Sequence, residues 1–189
     1  RFYGKFSEHV RTKNNSIIRT LKILRKHKLI NNFYNIKVKK NIPVFAGLGG
    51  GTSNAYFLVQ HLIRSKVLKK KIEKDIIKKV GTDYNLFYFK KSYQKKLNIL
   101  KRYESNFNFY FLLVYPFIKC KTSNIYKSLK KVNKFRNQNF SRIKKKEIFI
   151  KKVSEEKNYL QVIVNKKYPK IKYLKTCLQL ILLIALAFI

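Results

Sequence analysis

The sequence predicts a mixed α+β fold, because stretches with helical spacing alternate along the chain with stretches that have strand spacing. Apolar residues at positions 17, 21 and 24 share one face of a predicted helix over residues 16–28, which follows two asparagines. Residues 34–39 alternate apolar and polar side chains, which predicts a half-buried strand. With 189 residues, of which 46% are hydrophobic, the chain is long enough to bury a core.

Further elements follow along the chain. A second helix is predicted from residue 52 onward, where apolar residues recur on one face. Helical spacing over residues 72–80 predicts a short helix that ends at Gly81. The apolar run 107–115 predicts a buried strand, and the chain beyond Thr122 is predicted to be mostly helical.

A domain boundary is predicted near Ser105, where a stretch rich in Lys and Tyr gives way to the predicted strand. We therefore expect an N-terminal domain over residues 1–104 and a C-terminal domain over residues 105–189. The last residues, 178–189, are nearly all apolar but fall short of the ~20 residues that a spanning helix needs. We expect no membrane partner.

The charge and the cysteines limit the class of protein. Lys and Arg number 45 against 8 Asp and Glu, which gives a net charge of +37. The cations are spread along the chain, so we interpret most of them as solvated surface that also attracts phosphorylated ligands; a basic RNA-binding module is the alternative. Cys120 and Cys177 exclude a disulfide-rich secreted domain and a CxxC metal site, and they predict a cytoplasmic location.

A single glycine cluster stands between the predicted strand and the second helix. Four of the five residues from Gly47 to Gly51 are glycine, followed by the hydroxyls of Thr52 and Ser53. Consecutive amides in such a loop, together with the start of the helix, suit the phosphate chain of a nucleotide. The Walker-A pattern lacks its lysine here, and the dinucleotide fingerprint has Thr52 in place of its last glycine. A plain glycine-rich turn remains the other interpretation.

The stretch over residues 43–55, P-V-F-A-G-L-G-G-G-T-S-N-A, resembles the second motif of the GHMP kinases (galacto-, homoserine, mevalonate and phosphomevalonate kinases). Gly51 and Asn54 favour the branch that serves non-mevalonate isoprenoid biosynthesis over a kinase that acts on mevalonate or a sugar. The resemblance implies transfer of the γ-phosphoryl of ATP, with Mg²⁺, to the 2-hydroxyl of a small cytidine diphosphate derivative.

The resemblance also implies the site residues. Asp83 matches the family's catalytic aspartate and is expected to contact the substrate hydroxyl, while Thr122 and Tyr126 match substrate-binding positions. From the residues alone, Asp83 is interpreted as a solvated turn residue or a cap, Tyr126 as a packing residue and Lys40 as a solvent-facing cation. The implied ATP-binding residues are Asn15, Lys40, Pro43, Val44, Phe45, Ala46, Gly47, Leu48, Gly49, Gly50, Gly51, Thr52, Ser53 and Asn54.

The resemblance implies a two-domain GHMP kinase architecture that is incomplete at both ends. The family's first strand, which bears a catalytic lysine, has no counterpart, and neither does its third motif, a second glycine loop. We interpret the chain as truncated or frame-shifted after about residue 175. Weak turnover or none is expected of such a chain.

Overall fold

The mixed α and β content expected from the spacing of apolar residues is confirmed. A computed structural model describes residues 1–72, 79–81, 83–96, 99–103, 107–120, 122–129, 140, 143–156 and 158–187. The chain forms two compact units, Arg1–Ser105 and Asn106–Ile189. That these units are the two domains of a GHMP kinase stays a prediction.

Two helices dominate the first unit. Helix α1, Ser16–Lys26, begins where the Asn15 Oδ1 accepts a hydrogen bond from the Ile18 amide at 3.1 Å, which satisfies an amide that the helix leaves free. Helix α2, Gly50–Arg64, begins two residues before the predicted position 52. Both helices are thus confirmed, because capping and apolar spacing are local signals in the sequence.

The core of the first unit lies between α1 and α2. Leu24 and Val59 are completely buried there, and each such side chain stabilises the fold by about 1.5–3 kcal/mol. Tyr84 is also completely buried, and its ring meets that of Tyr56 edge-on at 5.2 Å. The full cluster comprises Ile17, Leu21, Leu24, Ile30, Tyr56, Val59, Leu62, Leu68 and Tyr84.

The strands of the first unit are short. Strand β1, Phe2–Tyr3, pairs in parallel with β2, Val38–Lys39. The strand predicted over residues 34–39 is therefore only partly confirmed: its side chains alternate in exposure as expected, but only its last two residues pair. Strands β3, Ser92–Lys96, and β4, Ile99–Arg102, form an antiparallel hairpin that the pattern of residues does not predict.

Two 3₁₀ helices, Lys70–Ile72 and Tyr84–Tyr88, connect α2 to the hairpin. The second of them is the more important for the site, since it follows Asp83 directly. Most of the helix predicted over residues 72–80 lies outside the described residues.

The described residues of the second unit beyond Thr122 are mostly helical, as predicted. Its helices are α3, Thr122–Lys127, α4, Lys146–Glu155, α5, Tyr159–Lys167, and α6, Pro169–Ala187. Proline suits the first turn of α6, because the amide that it lacks would have no partner there. Within the described part of the chain, no helix is both long and apolar enough to cross a membrane.

The strand predicted over residues 107–115 is wrong. These residues belong to no strand, and Tyr110, Phe111 and Leu112 are 100%, 87% and 75% exposed. An apolar run becomes a buried strand only where neighbouring strands pair with it and other elements cover it. Among the described residues no strand pairs with this segment, and the helix Lys146–Glu155 covers only its start, where Phe107 and Phe109 contact Phe149.

Candidate phosphate-binding site

The glycine loop connects β2 to α2 through a backbone that side chains rarely adopt. Gly47 and Gly49 have φ angles of +72° and +67°, and Gly49 is the residue that caps the N-terminus of α2. Glycine takes this left-handed conformation without the steric penalty of a Cβ atom. Phe45 has a φ of +64° despite its side chain, so the loop carries backbone strain at that position.

The first amides of α2 make the loop a site for an anion. The Ser53 amide donates to the Gly49 carbonyl at 2.8 Å, the first bond of the helix. The amides of Gly50, Gly51 and Thr52 precede it and have no carbonyl within the helix to receive them. Together with the positive end of the helix dipole, they favour a negatively charged group.

Lys40 extends from β2 towards the same helix end. Its amide donates to the Tyr3 carbonyl at 2.7 Å and its carbonyl accepts from the Phe6 amide at 3.0 Å, so its backbone is fixed by β1 and the turn after it. Its Nζ lies 3.4 Å from the position that a Cβ at Gly50 would occupy. Lys40 is therefore beside the α2 N-terminus and not solvent-facing.

The environment of Lys40 is unfavourable for its charge. The side chain is 7% exposed, and burial lowers the pKa of its ammonium below the ordinary value of 10.5 because the charged form loses hydration. Loss of hydration is the only cause of this shift, so no carboxylate among the described residues offsets the Lys40 charge. An anion bound at the N-terminus of α2 would offset that charge.

The N-terminus of α1 meets that of α2. A Cβ at Gly51 would lie 3.6 Å from the Ser16 Oγ, and Ser16 is the first residue of α1. The predicted ATP-binding residue Asn15 uses its side chain to cap α1 and to donate to the Arg11 and Thr12 carbonyls at 3.0 and 3.1 Å. It thereby fixes the start of the helix, and it places Ser16 at the loop.

Asp83 lies in a turn whose two sides contact the glycine loop and α2. On one side, a Cβ at Gly81 would lie 3.5 Å from the Thr52 Oγ1. On the other, Phe87 Cζ lies 3.3 Å from the position of a Cβ at Gly49. Asp83 itself is exposed, so the structure brings a solvent-accessible carboxylate to the neighbourhood of the loop.

The remaining predicted residues divide between the units. Pro43 is buried at the start of the loop, and Leu48 is 45% exposed at its tip. The predicted substrate-binding residues Thr122 and Tyr126 belong to α3 in the second unit. The Tyr126 ring is 54% exposed, and the side chain of Thr122 lies outside the described part.

Sequence reasoning missed two residues at the loop, Ser16 and Phe87. Ser16 stands next to Asn15 and directly before an apolar helical run, a signal that marks a helix start but not its nearness to a second helix. Phe87 follows Asp83 in a stretch that is similar to a segment of the family, a signal that does not show its contact with the glycine loop. Only the fold shows that both lie against the glycines.

A cavity of about 660 Å³ opens beside Asn15. Its walls are largely apolar, and they include Ile17, Phe33 and Tyr34. The Tyr34 hydroxyl is buried and has no hydrogen-bond partner within the described part of the chain. Apolar walls of this kind suit a flat heterocycle.

Comparison with known proteins agrees with this geometry. The family of GHMP kinases N terminal domains matches residues 15–84. The chain is 35% identical over 186 residues to the 4-diphosphocytidyl-2-C-methyl-D-erythritol kinase of Pelagibacter ubique (strain HTCC1062). The matched region covers 94% of this chain and 63% of that protein. The resemblance to the GHMP kinases is confirmed.

Two further relatives carry the same name. The protein of Prochlorococcus marinus subsp. pastoris is 35% identical over 160 residues, 73% of this chain and 50% of that protein. The protein of Ureaplasma urealyticum serovar 10 is 38% identical over 71 residues, 38% of this chain and 27% of that protein. The chain thus spans less than two thirds of the length of each of these three relatives.

Proposed function

We propose that this chain, whose residues 15–84 match the GHMP kinase N-terminal domain, acts as a 4-diphosphocytidyl-2-C-methyl-D-erythritol kinase. The reaction transfers the γ-phosphoryl group of ATP to the 2-hydroxyl of 4-diphosphocytidyl-2-C-methyl-D-erythritol, a step of non-mevalonate isoprenoid biosynthesis. The convergence of two helix N-termini and Lys40 on one glycine loop carries the proposal. The names of the relatives support the choice of substrate.

The glycine loop holds the phosphates. The amides of Gly50, Gly51 and Thr52 donate to phosphate oxygens, and the Lys40 ammonium offsets their charge from one side. A Cβ at Gly50 or Gly51 would occupy the space through which the phosphates approach the amides. The hydroxyl of Ser16 adds a donor from α1, and the adenine takes the cavity beside Asn15.

Asp83 acts on the substrate hydroxyl. A carboxylate within hydrogen-bond reach of that hydroxyl accepts its proton as the oxygen attacks the γ-phosphorus. The contacts of Gly81 with Thr52 and of Phe87 with Gly49 fix the turn that carries Asp83 relative to the loop. Catalysis is then mainly positioning, because phosphoryl transfer needs aligned groups and charge stabilisation.

Mg²⁺ fits the donor set at the loop. The ion prefers oxygen ligands and keeps the phosphates of its nucleotide as partners. The hydroxyls of Thr52 and Ser53, in the first turn of α2, are oxygen donors that would hold it together with ATP. When bound, it neutralises the charge that develops on the transferred group.

Two residues of α3 are proposed to bind the substrate, as the resemblance implies. Tyr126, which is exposed, stacks on the cytosine ring, and Thr122 is a further substrate-binding residue. The domain division at residues 104 and 105 and a cytoplasmic location remain predictions from the sequence.

The experiment is a single-turnover transfer assay with the chain in excess over γ-³²P-labelled ATP and saturating 4-diphosphocytidyl-2-C-methyl-D-erythritol. We expect slow transfer of label to the substrate. Asp83→Asn is expected to lower the rate by about 100-fold while the dissociation constant of ATP changes less than twofold, because the carboxylate acts on the hydroxyl and not on the nucleotide. The matched control Glu8→Gln removes an exposed carboxylate far along the chain and leaves the rate unchanged.

Failure of ATP to bind, or failure of the wild-type chain to transfer label, would overturn the proposed activity. Equal rates for Asp83→Asn and Glu8→Gln would overturn the role of Asp83 alone. Transfer to mevalonate or a sugar in place of the cytidine derivative would identify a different kinase of the same family.

A further inference from the structure

Lys79 is held by α1 at two points. The Arg19 Nη2 donates to the Lys79 carbonyl at 3.1 Å, and the Lys79 Nζ hydrogen-bonds the His27 Nε2 at 2.5 Å. Arg19 lies in the first turn of α1, and His27 caps its C-terminus about two turns further along. Backbone and side chain of one residue are thus fixed to one helix.

The residues after Lys79 lead directly to Asp83. Val80 packs against the core of the first unit, and Gly81 lies against Thr52 of α2. The Gly81 carbonyl accepts a hydrogen bond from the Tyr84 amide at 3.2 Å, which closes the turn that contains Asp83. Lys79, Val80 and Gly81 thus form a continuous anchored segment that ends in this turn.

We propose that Arg19 is a positioning residue for Asp83, acting through the Lys79 carbonyl. Asp83 is exposed, and the backbone of its turn sets where the residue stands relative to the glycine loop. The C-terminal side of the turn is fixed by Tyr84, which is completely buried. The N-terminal side depends on Gly81 and on the anchoring of Lys79, which Arg19 and His27 supply.

The anchor differs from the many other cations of the chain. The Arg19 side chain donates to a backbone carbonyl 60 positions away, whereas the side chain of Lys22, on the same helix, is exposed and forms no hydrogen bond with another described residue. A hydrogen bond from a charged donor resists local opening of the segment it holds. Arg19 is thus expected to restrain segment 79–81, and Lys22 is not.

The positioning role of Arg19 in catalysis rests on the proposed function. The hydrogen bond of Arg19 to Lys79 can be tested without it. Hydrogen–deuterium exchange of the Tyr84 amide in the full chain measures it, because that amide bonds to the Gly81 carbonyl. Arg19→Gln is expected to raise the Tyr84 exchange rate about five- to tenfold, while the exchange rate of the Ser53 amide, at the glycine loop, stays unchanged. The matched control Lys22→Gln changes neither, and Arg19→Lys restores part of the protection.

The same variants enter the single-turnover assay. Arg19→Gln is expected to lower the transfer rate about fivefold and to leave the ATP dissociation constant within twofold of the wild type, the split that a positioning residue gives. Equal Tyr84 exchange in Arg19→Gln and Lys22→Gln would overturn the anchor, as would acceleration of Tyr84 and Ser53 alike. Faster Tyr84 exchange with an unchanged transfer rate would overturn the positioning role. Absence of transfer in the wild type would overturn the proposed function, and the exchange rates would still decide on the anchor.

Discussion

Gly49 is constrained both by its backbone conformation and by a close neighbour, whereas Gly47 is constrained by its backbone conformation alone. Both residues have left-handed backbones, with φ angles of +67° and +72°. A Cβ at Gly49 would also lie 3.3 Å from Phe87 Cζ, whereas a Cβ at Gly47 would meet nothing within 4 Å. The pair therefore separates the cost of the backbone conformation from the cost of the close contact.

We expect Gly47→Ala to lower the free energy of unfolding by about 1 kcal/mol, the cost of a side chain in this conformation. Gly49→Ala is expected to cost about 2 kcal/mol or more, since Phe87 must also move. Urea unfolding of both variants measures the difference, with comparable m-values required for the comparison. Equal losses would contradict the Phe87 contact.

Lys40 is expected to make stability depend on pH. Burial lowers the pKa of its ammonium in the folded chain, so between that lowered pKa and the ordinary 10.5 the unfolded chain binds more protons than the folded one. The contribution of Lys40 to the free energy of unfolding therefore rises with pH between these two pKa values. At neutral pH the buried charge destabilises the fold. A phosphate group beside it removes that penalty on binding.

Lys40→Met keeps the length of the side chain and removes its charge. We expect the free energy of unfolding at neutral pH to rise by about 1 kcal/mol and the affinity for ATP to fall about tenfold. Urea unfolding at several alkaline pH values, and calorimetric titration with ATP, measure the two effects. Lys39→Met is the matched control, because Lys39 directly precedes Lys40 and is exposed. Loss of stability in Lys40→Met would contradict the uncompensated charge.

Among the elements, the sequence predicted correctly the helices whose starts and spacing depend on residues close together in the chain. Helices α1 and α2 follow from the cap at Asn15, the apolar spacing and the glycines before Thr52. The glycine loop was predictable for the same reason, because its residues adjoin in sequence and one helix end supplies its amides. These are the parts of the site that could be read before any fold was known.

Strand pairing depends on residues that are far apart in the chain, so the pattern of the sequence alone did not predict which segments form strands. The apolar run 107–115 has the composition of a buried strand but no pairing partner among the described residues. The hairpin of β3 and β4 forms from a stretch that is rich in Lys and lacks an alternating pattern. Likewise, Ser16 and Phe87 meet the loop only through packing between elements, so their place in the site required the structure.

At the scale of the whole molecule, a net charge of +37 attracts every polyanion, including RNA. Attraction by charge alone and binding at the loop differ in their dependence on salt. A chain that contacts about six phosphates of single-stranded RNA loses affinity with a slope of about −4 in a plot of log K against log salt. ATP at the loop involves few phosphates and several neutral amide donors, so its slope is expected to be about −2 or shallower.

We therefore expect RNA binding at 50 mM KCl to disappear by 300 mM, while ATP still binds. Lys40→Met is expected to weaken ATP binding at both salt concentrations and to leave RNA binding unchanged, because one buried lysine adds nothing to a charge spread over the surface. Fluorescence anisotropy with a labelled oligonucleotide, and titration with ATP in the same buffers, measure the two affinities. RNA that stays bound at 300 mM KCl, with no competition from ATP and no binding of ATP itself, would make the basic RNA-binding module the better account of this charge.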